Sequence, residues 1–195
     1  MILEKHILLL EDILDHWQQA LGDDYHGYKN HVYRVVNFCL ALQTDDDEET
    51  KNKIIIAACF HDLGIWSDQT IDYLPPSTAL ATAYLTQQGL QHWQAEIELM
   101  IDMHHKLVAY QDERYPLVKA FRKTDLNDRY PLAETFRKAD LVDVSLGMVK
   151  FGLPKACVNS IKALFPDRGF HWRLAQLAWQ WFSKNPLSLP PFIKW

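Results

Sequence analysis

His61 and Asp62 stand side by side where the chain's most hydrophobic run, Ile54 to Phe60, comes to an end in the stretch AACFHDLGIW. Placing an imidazole and a carboxylate against such a segment is costly, because a buried polar group without a partner loses several kcal/mol of hydration. A divalent cation is one compensation. At a helix end the two side chains, about 100° apart around the axis, can still reach a single ion. His31 interrupts another apolar helical face in NHVYRVVNFCLALQ, and DMHHK brings His104 and His105 to the end of a further one. Imidazole and carboxylate together suit manganese, iron, cobalt, nickel, zinc or magnesium without choosing among them. One of His104 and His105 is expected to face the site as a proton donor, substrate contact or extra ligand. Asp68 and Asp72, in the loop that follows, are either acid–base groups or solvated loop carboxylates. Trp66 is either a stacking surface for a base or an indole at the core edge.

These residues need helices to hold them. Nearly every segment shows helical rather than alternating period. Candidate helices cover residues 2–21, 30–43, a segment running to the His–Asp pair with Gly64 as its stop, one capped by Ser77 and ending near Gly89, and 91–106. Others cover 116–126, 131–149, 154–164 and 168–184. The acidic run Asp45–Glu49 falls where the third helix starts and suits the positive end of that helix. The last segment, NPLSLPPFIKW over residues 185–195, has three prolines and is expected to lie extended, with Phe192 and Trp195 docked.

The bulk properties fit one domain. The chain has 195 residues, enough for a substantial core, and 48% hydrophobic against 23% charged residues is the balance of a soluble globular protein. A formal charge of -5 argues against a nucleic-acid polymer as partner. The opening MILEKHILLLEDILDHW breaks its apolar residues with Glu4, Lys5, Glu11 and Asp12, so it is expected to be an amphipathic helix and not a signal peptide or membrane span. No membrane partner is expected. Cys39, Cys59 and Cys157 are an odd set, and reduced core thiols in a cytoplasmic protein are the plain expectation.

A tandem repeat stands out between residues 113 and 143. ERYPLVKAFRKTDLND, from Glu113 to Asp128, and DRYPLAETFRKADLVD, from Asp128 to Asp143, agree at ten positions at a spacing of 15. Each copy predicts a helix started by a proline and carrying one inward aspartate, Asp125 or Asp140. Two copies are too few for a solenoid.

The order His31, His61–Asp62 and a distant aspartate in an all-helical chain resembles the HD superfamily of metal-dependent phosphohydrolases. NHVYRV is similar to that family's first-histidine helix, FHDLG to its signature pair and FRKADLVD to its closing aspartate helix. The resemblance spans residues 26–145. It implies an all-α, single-domain helical bundle around one divalent ion held by His31, His61, Asp62 and the closing aspartate. The duplication leaves Asp125 and Asp140 as alternatives for that last ligand. Asp140 is favoured because Ala139, Val142, Val144 and Leu146 predict a longer buried helix, which holds a ligand more rigidly.

As an enzyme of this kind, the chain is expected to hydrolyse a small phosphoester, for which a nucleotide is one candidate, with Asp62 nearest the attacking water and His104 or His105 assisting. The sequence departs from the common form of the motif in having no lysine after the glycine of HDLG. Arg34, Lys106 and Lys138 are candidate phosphate contacts, weighed against surface or supporting charges. His92 is too close in sequence to His104 for the histidine pair of two-metal relatives. Two alternatives stand beside the hydrolase: an HD-type oxygenase or lyase with a non-haem metal, and a non-catalytic helical interaction protein. The duplicated helix and the apolar tail each offer a surface for a homo-oligomer.

Overall fold

The computed structural model describes residues 3–43, 47–106 and 130–193. All of the helices named below belong to these residues, and together they make an all-α fold.

The run that ends at His61 forms the centre. Its helix, α4 (Glu48–Phe60), starts at Asp47, whose carboxylate accepts the Thr50 amide at 2.9 Å, and Glu48 and Glu49 fill its first turn. The acidic stretch is therefore a helix start. From Ile54 to Phe60 every side chain is buried, which a helix tolerates only when neighbours cover it all round. Those neighbours are α1 (Leu8–Asp15), α3 (Tyr25–Leu42), α6 (Leu74–Gln87), α7 (Gln94–Met103) and α8 (Pro131–Val144). α3 is itself packed between α4 and α8, with α9 (Lys155–Leu164) along its side, so most of its residues from His31 to Cys39 are buried too. The short helices α2 (Gln18–Leu21) and α5 (Gly64–Ser67) and the last helix, α10 (Phe170–Lys184), complete the set.

Several local expectations give way to tertiary contacts. The predicted helix 2–21 is extended before Leu8 and broken at His16 and Trp17. Buried Asn37 causes the first departure: its amide accepts from Glu4 N at 2.9 Å and donates to Glu4 O at 3.0 Å. It thereby supplies the hydrogen bonds that a helix would otherwise make. α3 begins at Tyr25, before the predicted residue 30, and the predicted helix 91–106 opens with a 3-10 turn over Gln91–Trp93.

Gly64 does not stop α4. It opens α5, and a Cβ on it would lie 2.4 Å from Tyr73 O and 2.9 Å from the Pro76 ring. Ser77, expected as a cap for α6, instead accepts the Gly64 amide at 2.9 Å, while Pro75 and Pro76 occupy the first turn of α6. α8 ends at Val144, short of the predicted 149. Leu146, at φ 57, turns out to the surface, so the buried continuation stops at Asp143. The tail runs through turns, and Phe192 packs 5.2 Å from Tyr73 and 5.0 Å from His105 between ring centroids. The helix expected at 116–126, Asp125 and Trp195 lie outside the described residues.

Candidate metal centre

Four helices deliver the polar residues that the apolar pattern made conspicuous. α3 carries His31, the end of α4 carries His61 and Asp62, the end of α7 carries His104 and His105, and α8 carries Asp140. All but His105 are buried. Their inward atoms converge. His31 Nε2 lies 2.9 Å from His61 Nε2, 3.7 Å from Asp62 Oδ2 and 3.6 Å from Asp140 Oδ1. His61 Nε2 lies 3.3 Å from Asp62 Oδ2 and 3.8 Å from Asp140 Oδ1. Two donors bound ~2.1 Å from one ion are about 3 Å apart when adjacent and about 4 Å apart when opposite, so these spacings suit a shared cation.

The imidazoles are fixed from behind. His31 Nδ1 faces Asp143 Oδ2 at 2.7 Å, His61 Nδ1 faces Ala58 O at 2.8 Å and His104 Nδ1 faces Ile101 O at 2.6 Å. Carbonyl oxygens and an ionised carboxylate only accept, so each Nδ1 is the donor and each Nε2 turns a lone pair inward. Two lone pairs cannot face each other at 2.9 Å without a cation to share. Either a proton on His61 or a metal ion meets that need.

The carboxylates state the same requirement. Asp62 Oδ1, both oxygens of Asp140 and His104 Nε2 are buried with no hydrogen-bond partner among the described residues. His104 Nε2 and Asp62 Oδ1 lie 3.3 Å apart, a second pair of acceptors that needs a proton or a cation between them. Unpaired buried carboxylates of this kind are rare unless something charged completes them. Donor sets His31–His61–Asp140, His61–Asp62–His104 and His104–His105–Asp140 each bring one atom per residue within 4.8 Å of one another. These buried groups could hold a metal ion.

The electrostatics follow from burial and from this crowding. Burial lowers His31 to about 4, which the adjacent Asp143 does not reverse, so its ring is neutral. Burial alone would lower His61 as well, but Asp62 and Asp140 outweigh it and raise it to about 9. Burial lifts Asp140 to about 6 against the pull of His104 and His61. Asp62 is held well below the usual carboxylate range because His61 and His104 overcome its desolvation. His105 is driven well below the ordinary histidine value by burial and by the neighbouring His104.

Asp143 is the residue that sequence reasoning missed. It lies one turn beyond Asp140 on the same face, and that i, i+3 spacing was the available signal. Besides receiving His31, it binds Arg34 through Nε at 2.5 Å and Nη2 at 2.8 Å, and Arg34 Nη1 donates to Phe165 O at 3.0 Å. Arg34 is therefore a supporting charge in the core. Lys106 is buried, and Lys138 pairs with Glu134 at 3.6 Å. Asp68 and Asp72 are exposed on their loop. The Trp66 indole donates to Asp24 Oδ2 at 2.8 Å and its ring packs 4.9 Å from Tyr28, an indole at the core edge.

No family model, curated protein or solved structure matches this chain.

Proposed function

We propose that the centre binds one divalent transition-metal ion through His31, His61, Asp62 and Asp140, and that the protein is a metal-dependent hydrolase of a small phosphoester. The observation that carries the metal assignment is the set of inward lone pairs, each fixed by a bond at the far side of its ring, around buried carboxylate oxygens that lack partners. The phosphoester assignment rests on the order of these residues along the chain, which resembles that of the HD phosphohydrolases.

An ion bound there supplies positive charge that polarises a phosphoryl oxygen and lowers the pKa of a water. The chain's residues do the rest. Asp62 is held ionised and reaches towards His31 and His61 with one oxygen and towards His104 with the other, so it is placed to orient the water or take its proton. His104, with Nδ1 fixed on Ile101 O, offers a lone pair at the same carboxylate. His105 is the member of the cluster with surface exposure. It is hydrogen-bonded to Tyr73 and lies 4.0 Å from Asp62, which suits it to pass a proton between the centre and the leaving group.

The test is to load the protein with manganese, cobalt or nickel and assay it against a panel of phosphate esters and nucleotides. Hydrolysis that disappears with His61→Ala is the expected result. No turnover of any substrate with the ion bound would sink the hydrolase reading.

A second reading has one observation in its favour. The donor sets His31–His61–Asp140 and His104–His105–Asp140 share only Asp140, an arrangement that admits two ions and hence the oxygenase alternative. Elemental analysis separates the two, with one ion per chain expected. Two irons per chain would transfer the assignment to the second reading.

A further inference from the structure

α10 is apolar on two opposite sides. Its inner side, with Phe170, Leu174 and Leu177, packs against the core. Its outer side shows Trp172 at 68% exposure, Trp179 at 76% and Phe182 at 41%, with Ala175 exposed between them. The spacing of these four residues, i, i+3, i+7 and i+10, places them within about 80° of arc, the narrow seam by which one helix packs along another. An amphipathic helix serving only its own core has no use for a second seam.

We propose that the outer seam of α10 is a twofold interface with a second copy of this chain, in which the two helices run antiparallel and Trp172 of each packs on Trp179 of the other.

Three observations select this occupant. The seam is self-complementary: a twofold axis between residues 175 and 176 sets each indole opposite an indole and the small Ala175 where the helix axes come closest. The area suits a weak pair. With roughly 150–250 Å² for an exposed aromatic side chain, the two indoles and Phe182 offer about 400 Å² per copy, so two copies bury about 800 Å² in total, the range of a weak, transient interface. Finally, the rim is neutral. Gln176, Gln180 and Ser183 flank the seam, Arg173 faces Asp24 of its own chain at 3.4 Å, and Lys184 is at the far end. An anionic lipid surface or an acidic partner calls for a cationic rim, which the helix does not have.

Sedimentation velocity across micromolar to hundred-micromolar protein is expected to show a monomer–dimer equilibrium with a micromolar dissociation constant. Trp172→Glu combined with Trp179→Glu abolishes the dimer while leaving helix content and melting temperature unchanged, since both side chains face outward. In a Cys157→Ser background, mild oxidation of Ala175→Cys gives a reducible dimer. Ser183→Cys does not, because an antiparallel pair sets the two Ser183 positions about 22 Å apart along the axis. A wild-type monomer at every concentration overturns the proposal. So does a dimer indifferent to the tryptophan substitutions, equal cross-linking at both cysteines, or a monomer that binds anionic phospholipid vesicles through the same two tryptophans.

Discussion

Asp143 has no atom among those facing the centre, yet it decides which nitrogen of His31 points there. Replacing it with asparagine removes an ionised acceptor from the ring and leaves the Arg34 guanidinium buried without its counter-charge. Asp143→Asn is expected to weaken metal affinity about 10- to 100-fold. It should also lower stability by about 3 kcal/mol, the low end for breaking a buried pair. Titration calorimetry and denaturant unfolding check the two effects, and unchanged affinity would show that His31 is held by other contacts.

His61 yields a pH prediction. Its folded pKa of about 9 lies above the ordinary 6.5. In the metal-free protein its contribution is therefore fully present below pH 6.5 and is lost as pH rises through about 9. The metal-free melting temperature should fall between pH 7 and pH 10, and the metal-loaded one should not show that loss, because an ion replaces the proton. By the same competition, metal uptake near pH 7.5 releases about one proton per ion, and affinity climbs about tenfold per pH unit until it levels off near pH 9. Uptake without proton release in two buffers of different ionisation enthalpy would contradict this.

At the scale of elements, the fold shows which sequence signals decide and which are overruled. The continuous apolar run of α4 and the periodic face of α3 have tertiary neighbours on all sides, so periodicity located both helices and the polar residues that interrupt them. Boundaries were harder to place, because they depend on partners distant in sequence. Nothing near Glu4 announces that Asn37 will take its backbone bonds, and nothing near Ser77 announces that it serves Gly64. Asn37→Ala is expected to cost about 1–3 kcal/mol through the three lost bonds, two to Glu4 and one to Tyr33 O. It should raise amide exchange at Glu4 while leaving metal affinity alone. Gly64→Ala drives a methyl group into the Tyr73 carbonyl and the Pro76 ring, and overpacking of this kind costs about 1–3 kcal/mol. Thermal unfolding of the variant checks it; a neutral result would mean that the α5–α6 junction yields.

Across the whole molecule, the centre ties together segments far apart in sequence, with His31 and Asp143 separated by 112 positions. Asp140 was legible as a candidate ligand through the resemblance and through the apolar helix around it, and the structure brings it to the cluster. The support behind the ligands was not legible, because hydrogen bonds such as those to Ala58 O and Ile101 O leave no compositional trace. An ion that bridges α3, α4 and α8 binds only the folded chain. Excess metal at about 100 times its dissociation constant should therefore add about 2.7 kcal/mol to stability, and a chelator should remove it. A melting temperature that ignores both additions would contradict the metal assignment.

α4 and α7 both end on the centre, at His61 and His104. The closing turn of a helix presents carbonyl oxygens and a partial negative charge. In the metal-free protein the proton on His61 offsets only part of that charge and of the Asp62 carboxylate, so under the proposed function an anionic ester is held weakly until an ion is bound. On that reading the cation binds before the ester, and orthophosphate should leave the melting curve of the chelated protein where it found it.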